Sequence, residues 1–281
     1  MILLAPFLVA ATYPTPPLPP QDARRTQVAA EYHRLAGARD GEGLGELWKA
    51  NPDLALVTID ADLEGGLALW EQAIDEPPAE RIAQLHDRAL FAARTASRVL
   101  GHPILADYAA SFVGWNDLEK RNFRAGQALY ARALEELEKG EYETALVAAR
   151  ETRDRAAPLG DWWGTAMGYS AEGRALQAGG LAEHALAAYG MARLLYHDLG
   201  LSWNELEVLT RMVSVLRSVE RWSRARVAAS AGLELARRFD RLDEQRELLR
   251  ARAQIERRMG LESEALASEE ELRALETASG D

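Results

Sequence analysis

The chain is predicted to fold entirely into α-helices stacked as a repeating solenoid, and three features of its sequence predict this. Helix-forming residues dominate from residue 21 onward, and strand signals are nearly absent. Small residues recur every 40 positions in the second half of the chain. Glycines recur where helices are expected to end, because glycine adopts the left-handed backbone conformation without strain. Antiparallel helix pairs that share one continuous core are therefore expected.

The composition excludes several classes of function. The chain has 281 residues, 48% of them hydrophobic and 27% charged, which is enough to bury a core and argues against a disordered chain. Its net charge of −11 argues against a nucleic-acid partner, because phosphate contacts need a basic surface. It has no cysteine, which excludes disulfides, thiolate metal sites and cysteine nucleophiles.

Residues 1–20 form an apolar and proline-rich leader. The apolar stretch at residues 1–11 is too short to span a membrane, which takes about 20 residues, but it has the length of a signal-peptide core. Val9 and Ala11 supply the small residues of a cleavage site, and five prolines between Pro14 and Pro20 form a stiff spacer. These features favour export or a periplasmic location. No Lys or Arg precedes the apolar run, so a tail on a cytoplasmic chain is the alternative.

Residues 21–122 are predicted to form an irregular helical cap on the repeats. Residues 54–59 resemble a short strand, and the glycine-rich residues 38–46 are predicted to be a linker. A break at residues 114–117 divides a segment too long for one ordinary helix. Helices are predicted at residues 22–36, 43–49, 63–74, 78–100, 103–115 and 117–139.

Residues 123–281 carry about four repeat units, marked by three columns of residues at a spacing of 40. An alanine early in the second helix of each unit lets two helix backbones approach closely, and each glycine ends a helix. Glu220 and Asp240 are the exceptions in the two glycine columns. The columns are Ala145, Ala185, Ala225 and Ala265; Gly140, Gly180 and Gly260; and Gly160, Gly200 and Gly280.

This pattern resembles the tetratricopeptide repeat family, in a long-helix variety. The second unit matches best, since Gly173, Gly180, Ala185, Tyr189 and Ala192 fall on the spacing of the family motif. The unit of 40 residues is longer than the family's usual one, and the proline that ends the second helix is missing in three of four units. The resemblance implies a right-handed superhelix whose first helices, one from each pair, line a concave surface.

The register of this resemblance also implies which side chains face the concave surface. Several of them are arginines in an acidic protein, which favours a groove for a carboxylate-bearing peptide. The alternative is that these arginines simply occupy an exposed helix face. The inward-facing residues are Tyr130, Leu134, Arg174, Gln177, Arg217, Gln254 and Arg257.

The predicted function is a non-enzymatic scaffold or adaptor that binds a protein or peptide, acidic in character, on its concave face. The alternatives are a regulatory or sensor subunit, or a small-molecule binder or enzyme that uses an unrecognised helical pocket. An open groove lined by Arg174, Arg217 and Arg257 favours the scaffold. A deep apolar pocket with convergent polar groups and perturbed acids favours the small-molecule site.

Searches for chemical motifs predict no cofactor, metal or catalytic residue. Residues 60–71 match the acidic spacing of a calcium-binding EF-hand loop, but Glu64 is longer than the usual ligand, the flanking segments are too short and there is a single copy. The alternative is a loop whose acids cap the next helix. No two of the five histidines lie at the helical spacing of a metal pair.

Four tryptophans lie in the repeat region at informative positions. Trp162, Trp163 and Trp203 lie where one helix pair meets the next, so they are interpreted as packing between repeats. The alternative for these three is an aromatic platform that faces a ligand. Trp222 lies in the aromatic column after the turn and is predicted to be structural.

Overall fold

The computed structural model describes residues 19–278, and every regular element within them is helical, which confirms the all-α fold class. Residues 1–18, which carry most of the predicted leader, lie outside the described residues, as does Gly280. A short 3₁₀ turn, Ala157–Leu159, follows the seventh helix. The α-helices, numbered α1 to α13 in chain order, are Pro19–Gly37, Gly41–Ala50, Pro52–Glu71, Ala79–Leu100, Ile104–Gly114, Asp117–Lys139, Tyr142–Ala156, Trp162–Ala178, Ala182–Asp198, Ser202–Ser218, Trp222–Arg238, Leu242–Arg258 and Glu262–Ala278.

Helix α3 corrects two predictions about residues 52–71. The strand-like run at residues 54–59 and the acidic stretch at residues 60–71 both lie inside this one helix. Pro52 starts it, since a first-turn position loses no hydrogen bond to proline. Leu56, Ile59 and Leu63 follow at helical spacing and are buried. Both interpretations of residues 60–71, a calcium-binding loop and a loop whose acids cap the next helix, are therefore wrong.

The glycine-rich segment before α3 is also more helical than predicted. The linker assigned to residues 38–46 is restricted to a turn at residues 38–40, where Arg39 has a φ of 55°. Helix α2 then begins at Gly41, because the Asp40 side chain accepts a hydrogen bond of 2.9 Å from the backbone N–H of Gly43. Leu44 and Trp48 of this helix are completely buried, so packing offsets the poor helix propensity of its glycines.

The predicted break between α5 and α6 is confirmed. Helix α5 ends at Gly114 and α6 begins at Asp117. Asn116 closes a capping box, in which its side chain accepts from the backbone N–H of Glu119 and the Glu119 carboxylate accepts from the backbone N–H of Asn116. The remaining predicted helices before α6, apart from α3, begin and end close to the observed bounds.

The repeat region is more regular than the sequence pattern alone indicates. Each of the six helices from α8 to α13 has 17 residues, and their first residues lie 20 positions apart, from Trp162 to Glu262. A residue with positive φ separates each helix from the next at positions 140, 160, 180, 200, 220, 240 and 260. Glu220 (57°) and Asp240 (50°) adopt the same left-handed conformation as the glycines.

The alanine column lies at the helix contacts, as expected. Ala145, Ala185, Ala225 and Ala265 are all completely buried. Each helix from α6 onward contacts the next one along the chain, and α6 also contacts α8, as α10 contacts α12. Successive helices are therefore neighbours in space, and the first helices of consecutive pairs also touch in two places, α6 with α8 and α10 with α12.

The N-terminal helices lie against the repeat helices rather than beyond their first pair. A Cβ atom added at Gly200, in the turn between α9 and α10, would lie 2.8 Å from the carbonyl oxygen of Pro52 at the start of α3. A cleft of about 710 Å³ is lined by Arg24 and Asp53 on one side and by Asp240 on the other. One continuous hydrophobic core extends from Val28 to Ile255, so both regions share it.

Candidate functional site

An open groove runs between α10 and α12, the first helices of the third and fourth helix pairs. Side chains three or four residues apart lie on the same face of a helix, so successive turns of α10 and of α12 each line the groove with a row of side chains. Three adjoining cavities lie along these rows, and Ser214 lines all three of them. We call it the inter-repeat groove, and its central residues are Thr210, Ser214, Arg217, Glu247 and Gln254.

One end of the inter-repeat groove is basic and widens into a cavity of about 610 Å³. Arg217, Arg257 and Arg258 lie in the last turns of α10 and α12, where the helix dipole favours cations. Arg217 donates a hydrogen bond to Gln254, and the Arg258 guanidinium lies 6.0 Å from the ring centroid of Trp222. We call this set of residues the basic end.

The charges at the basic end are only partly compensated. Arg257 is paired with Glu269, with 2.6 Å between guanidinium and carboxylate. Within residues 19–278, no carboxylate forms an ion pair with Arg217 or Arg258. Two guanidinium groups therefore face this cavity without a negative partner in the part of the chain that the structure describes, although the chain as a whole is acidic.

The opposite end of the inter-repeat groove is aromatic and carries more carboxylates than guanidinium groups, since Glu207, Glu244 and Glu247 line it together with Arg211. Trp203 is 44% exposed, and the Arg241 guanidinium lies 3.9 Å from its ring centroid. Arg241 also pairs with Glu244 at 2.9 Å, and Arg211 pairs with Glu207 at 2.8 Å. The groove thus changes along its length from aromatic and acidic to basic.

The structure brings some of the residues predicted for the concave face together and separates others. Arg217, Gln254 and Arg257 line the same cavity at the basic end. Gln177 lies at the opposite end, where its Oε1 accepts a hydrogen bond of 2.8 Å from the Tyr189 hydroxyl. Arg174 is half-buried on α8 and lines none of the three cavities of the groove. The expected row of three arginines is therefore not formed within this groove.

Tyr130 and Leu134 line a separate cavity of about 490 Å³, where α3 and α5 meet the first repeat helices. Every residue that lines it is buried or half-buried. We call it the interface cavity. Its walls combine aromatic and apolar side chains with carboxylates, chiefly Phe123, Tyr130, Leu134, Trp163 and Met167 with Asp60, Glu64 and Asp161.

The carboxylates of the interface cavity are held by different parts of the fold. Asp60 on α3 accepts a hydrogen bond of 2.6 Å from the Tyr108 hydroxyl of α5. Asp161 caps α8 by accepting a hydrogen bond of 2.8 Å from the backbone N–H of Gly164. Glu64 pairs with Arg124 at 2.8 Å. Among residues 19–278, only Glu64 of these three carboxylates forms an ion pair, and its partner Arg124 is not one of the residues that line the cavity.

Burial and mutual repulsion change the acidity of this cluster. Removal from water raises the pKa of Asp60 to about 7; the hydrogen bond from Tyr108 lowers it, Glu64 and Asp161 raise it, and Arg124 lowers it. Removal from water also raises the pKa of Asp161 to about 7, against the lowering effect of the Gly164 amide. Both acids therefore change charge near neutral pH.

Several residues of the inter-repeat groove and the interface cavity had been predicted from the sequence to have other roles. Asp60 belonged to the predicted acidic loop, and Asp161 carried no signal beyond its position before a helix start. Trp163 lines the interface cavity, whereas Trp162 is half-buried and packs against the core. Trp222 packs partly against the core, as predicted for a structural residue, but it also lines the basic end.

Residues 19–278 contain no group of three or more His, Asp or Glu side chains arranged to hold a metal ion. No helix in the same range is both long and apolar enough to cross a membrane.

Comparison with other proteins gives no relative from which a function could be transferred. No protein-family model matches the chain, and no curated protein is found to be similar to it.

Proposed function

We propose that this protein is a non-enzymatic scaffold or adaptor of the tetratricopeptide type. In this proposal residues 123–281 form a right-handed superhelix, and the inter-repeat groove lies on its concave face. The regular spacing of helix starts and the contact between the first helices α10 and α12 support it. The groove would bind an extended segment of a partner protein.

The observation that carries the proposal is the uncompensated pair of guanidinium groups at the basic end. A carboxylate of the partner, on an acidic side chain or at a chain terminus, would accept charge-assisted hydrogen bonds from Arg217 and Arg258. Gln254 and Ser214 line the same cavity and offer further hydrogen bonds. The ligand that best fits is therefore a peptide with a negative charge at one end.

The length of the groove sets the length of this peptide. Trp203 and Arg217 lie 14 positions apart on α10, which corresponds to roughly 21 Å along a helix. An extended chain covers about 3.3–3.6 Å per residue, so about six residues would reach from the basic end to Trp203. Trp203, which is partly exposed, would contact an apolar or aromatic residue at the far end of the peptide.

The test is a selection of peptides on the full-length protein, followed by calorimetric titration of synthetic versions. Two libraries of random heptapeptides, one with free and one with amidated carboxyl ends, should yield sequences with Asp or Glu at one end, or binders from the library with free carboxyl ends alone. Arg217→Glu combined with Arg258→Glu should weaken binding at least about tenfold, and added salt should weaken wild-type binding. The matched control is Arg132→Glu with Arg224→Glu, two exposed arginines outside the groove.

Three results would contradict the proposal. The selection could yield no binder, or binders without any preference for negative charge. Alternatively, the groove variant and the control variant could bind the selected peptides equally well. Circular dichroism of both double variants must show wild-type helicity, because exposed substitutions usually cost less than about 0.5 kcal/mol of stability.

A further inference from the structure

The interface cavity is a second site, distinct from the inter-repeat groove. It is formed where Asp60 and Glu64 of α3 face Tyr130 of α6 and Trp163 of α8. The proposed peptide scaffold makes no use of it. We propose that the interface cavity binds a small organic cation, an ammonium group carried on an apolar body.

The size and the walls of the cavity fit such a molecule. Its volume of about 490 Å³ lies within the range of small-molecule sites, roughly 300–1,000 Å³. Phe123, Tyr130 and Trp163 contribute aromatic rings, and Leu134 and Met167 add aliphatic surface. Aromatic faces attract cations and at the same time shield an apolar body from water.

The charge of the wall decides the sign of the ligand. Asp60, Glu64 and Asp161 face the cavity, and the lining residues include no Lys, Arg or His. Two guanidinium groups adjoin the wall: that of Arg124 already bonds Glu64 at 2.8 Å and Glu71 at 2.7 Å, and that of Arg155 lies 3.5 Å from Oδ1 of Asn122. A cation would therefore relieve the repulsion among these carboxylates, whereas an anion would add to it.

An organic cation fits this wall better than a metal ion. A calcium ion takes six to eight oxygen ligands and a magnesium ion requires a near-octahedral oxygen shell. Here the Asp60 carboxylate already accepts from Tyr108, and that of Asp161 already caps α8. Most of the remaining wall is aromatic or aliphatic, which a metal ion would leave without a contact.

Protonation of Asp60 and Asp161 should make the binding of a cation depend on pH. Asp60 is faced by Tyr108, Glu64, Asp161 and Arg124, and the sum of burial and these charges places its pKa at about 7. The pKa of Asp161 is raised to a similar value. A cation binds the ionised forms, so its affinity should rise between pH 5.5 and pH 8.5.

The experiment uses three indole compounds of similar size and different charge on the full-length protein. Tryptamine carries an ammonium group, tryptophol a neutral hydroxyl and indole-3-propionate a carboxylate. At pH 8, calorimetry should show tryptamine binding at least about tenfold more tightly than tryptophol, and no binding of the anion. Tryptamine should bind less tightly at pH 5.5.

Variants locate the site. Asp60→Asn with Asp161→Asn should weaken tryptamine binding at least about tenfold while leaving tryptophol binding unchanged, and Asn at position 161 still caps α8. Asp75→Asn is the matched control, because Asp75 is exposed in the loop after α3. Trp163→Leu should weaken both tryptamine and tryptophol.

Each contrary result would overturn the proposal. These are an absence of tryptamine binding at millimolar concentration, equal affinity for tryptamine and tryptophol, or unchanged tryptamine binding in the Asp60→Asn/Asp161→Asn variant. The comparison of the three ligands on the wild-type protein needs no variant, so the proposal is tested even if a substituted protein fails to fold.

Discussion

Gly173 on α8 lies directly against the ring of Tyr189 on α9. A Cβ atom added at Gly173 would lie 2.5 Å from Cδ1 of the tyrosine, which is completely buried. The positions 40 residues further along hold Val213 and Ala229, both buried. The larger side chain is thus on the second helix in one pair and on the first helix in the next.

Substitutions at Gly173 and Tyr189 should have strongly coupled effects on the stability of the protein. Gly173→Val should destabilise the protein by about 1–3 kcal/mol or more through overpacking, and Tyr189→Ala by about 3–5 kcal/mol through a cavity. The double variant reproduces the Val213 and Ala229 combination, so it should lose less stability than the sum of the two. Urea denaturation of all four proteins measures this, and strictly additive losses would contradict the shared contact.

Glycine at the two exceptional turn positions should stabilise the protein. Glu220 and Asp240 have φ values of 57° and 50°, a region that costs ordinary residues roughly 1–2 kcal/mol. Glu220→Gly should therefore raise the melting temperature, and Asp240→Gly should raise it less, because Asp tolerates this conformation better. Glu151→Gly, at an exposed position in the middle of α7, is the control and should lower the free energy of unfolding by about 1 kcal/mol. A decrease for Glu220→Gly would show that the turn differs in solution.

Alanine at two equivalent turn glycines should have unequal effects. Gly180 and Gly200 both have positive φ, but a Cβ atom at Gly180 meets open space, whereas one at Gly200 meets the Pro52 carbonyl oxygen. Gly180→Ala should cost only the backbone strain of about 1 kcal/mol, and Gly200→Ala should cost more. Hydrogen exchange at the start of α3 should accelerate in Gly200→Ala alone. Equal behaviour of both variants would show that α3 does not rest on this turn.

The stability of the protein should fall as pH rises between about 4 and 7. Asp60 and Asp161 have folded-state pKa values of about 7, above the unfolded value of about 3.9, so the folded state binds more protons in that window. Asp60→Asn with Asp161→Asn should remove this slope and raise the melting temperature at pH 8 relative to wild type. His86, whose pKa is lowered by burial and by Lys120, contributes an opposite slope in both proteins. An identical pH profile for the double variant and wild type would contradict the raised pKa values.

The period of 40 residues allowed most of the repeat region to be predicted. Local signals determine its helix ends, such as the Asn116 capping box before α6 and the left-handed Gly140 after it. Helix α3 was predicted only in part, over residues 63–74 instead of Pro52–Glu71, because its conformation depends on distant partners. Asp62 is buried by Tyr32 and Arg88, and Gly66 allows close packing on His86, which a Cβ atom would approach to 2.7 Å. Nothing within residues 52–71 shows these contacts.

The same distinction applies to the two sites. Arg217, Gln254 and Arg257 could be predicted to lie together because one repeat register relates α10 to α12. The interface cavity could not be predicted, since Asp60 and Asp161 meet only through the packing of the N-terminal helices across the repeats. No register relates a residue of those helices to one of the repeats.

The close approach of Gly200 to Pro52 determines where helix pairs can be added to the repeats. The repeats before Gly200 and those after it differ in this respect. A helix pair inserted between α6 and Gly200 would move the Gly200 turn away from α3 by a whole unit. It would also open the interface cavity, because α3 and α5 line that cavity together with repeat helices that precede and follow Gly200. A pair added after α13 would disturb neither, because α13 packs on α12 and presents an exposed Leu266. During evolution or engineering, this protein should gain repeats after α13 while the number of pairs before Gly200 stays constant.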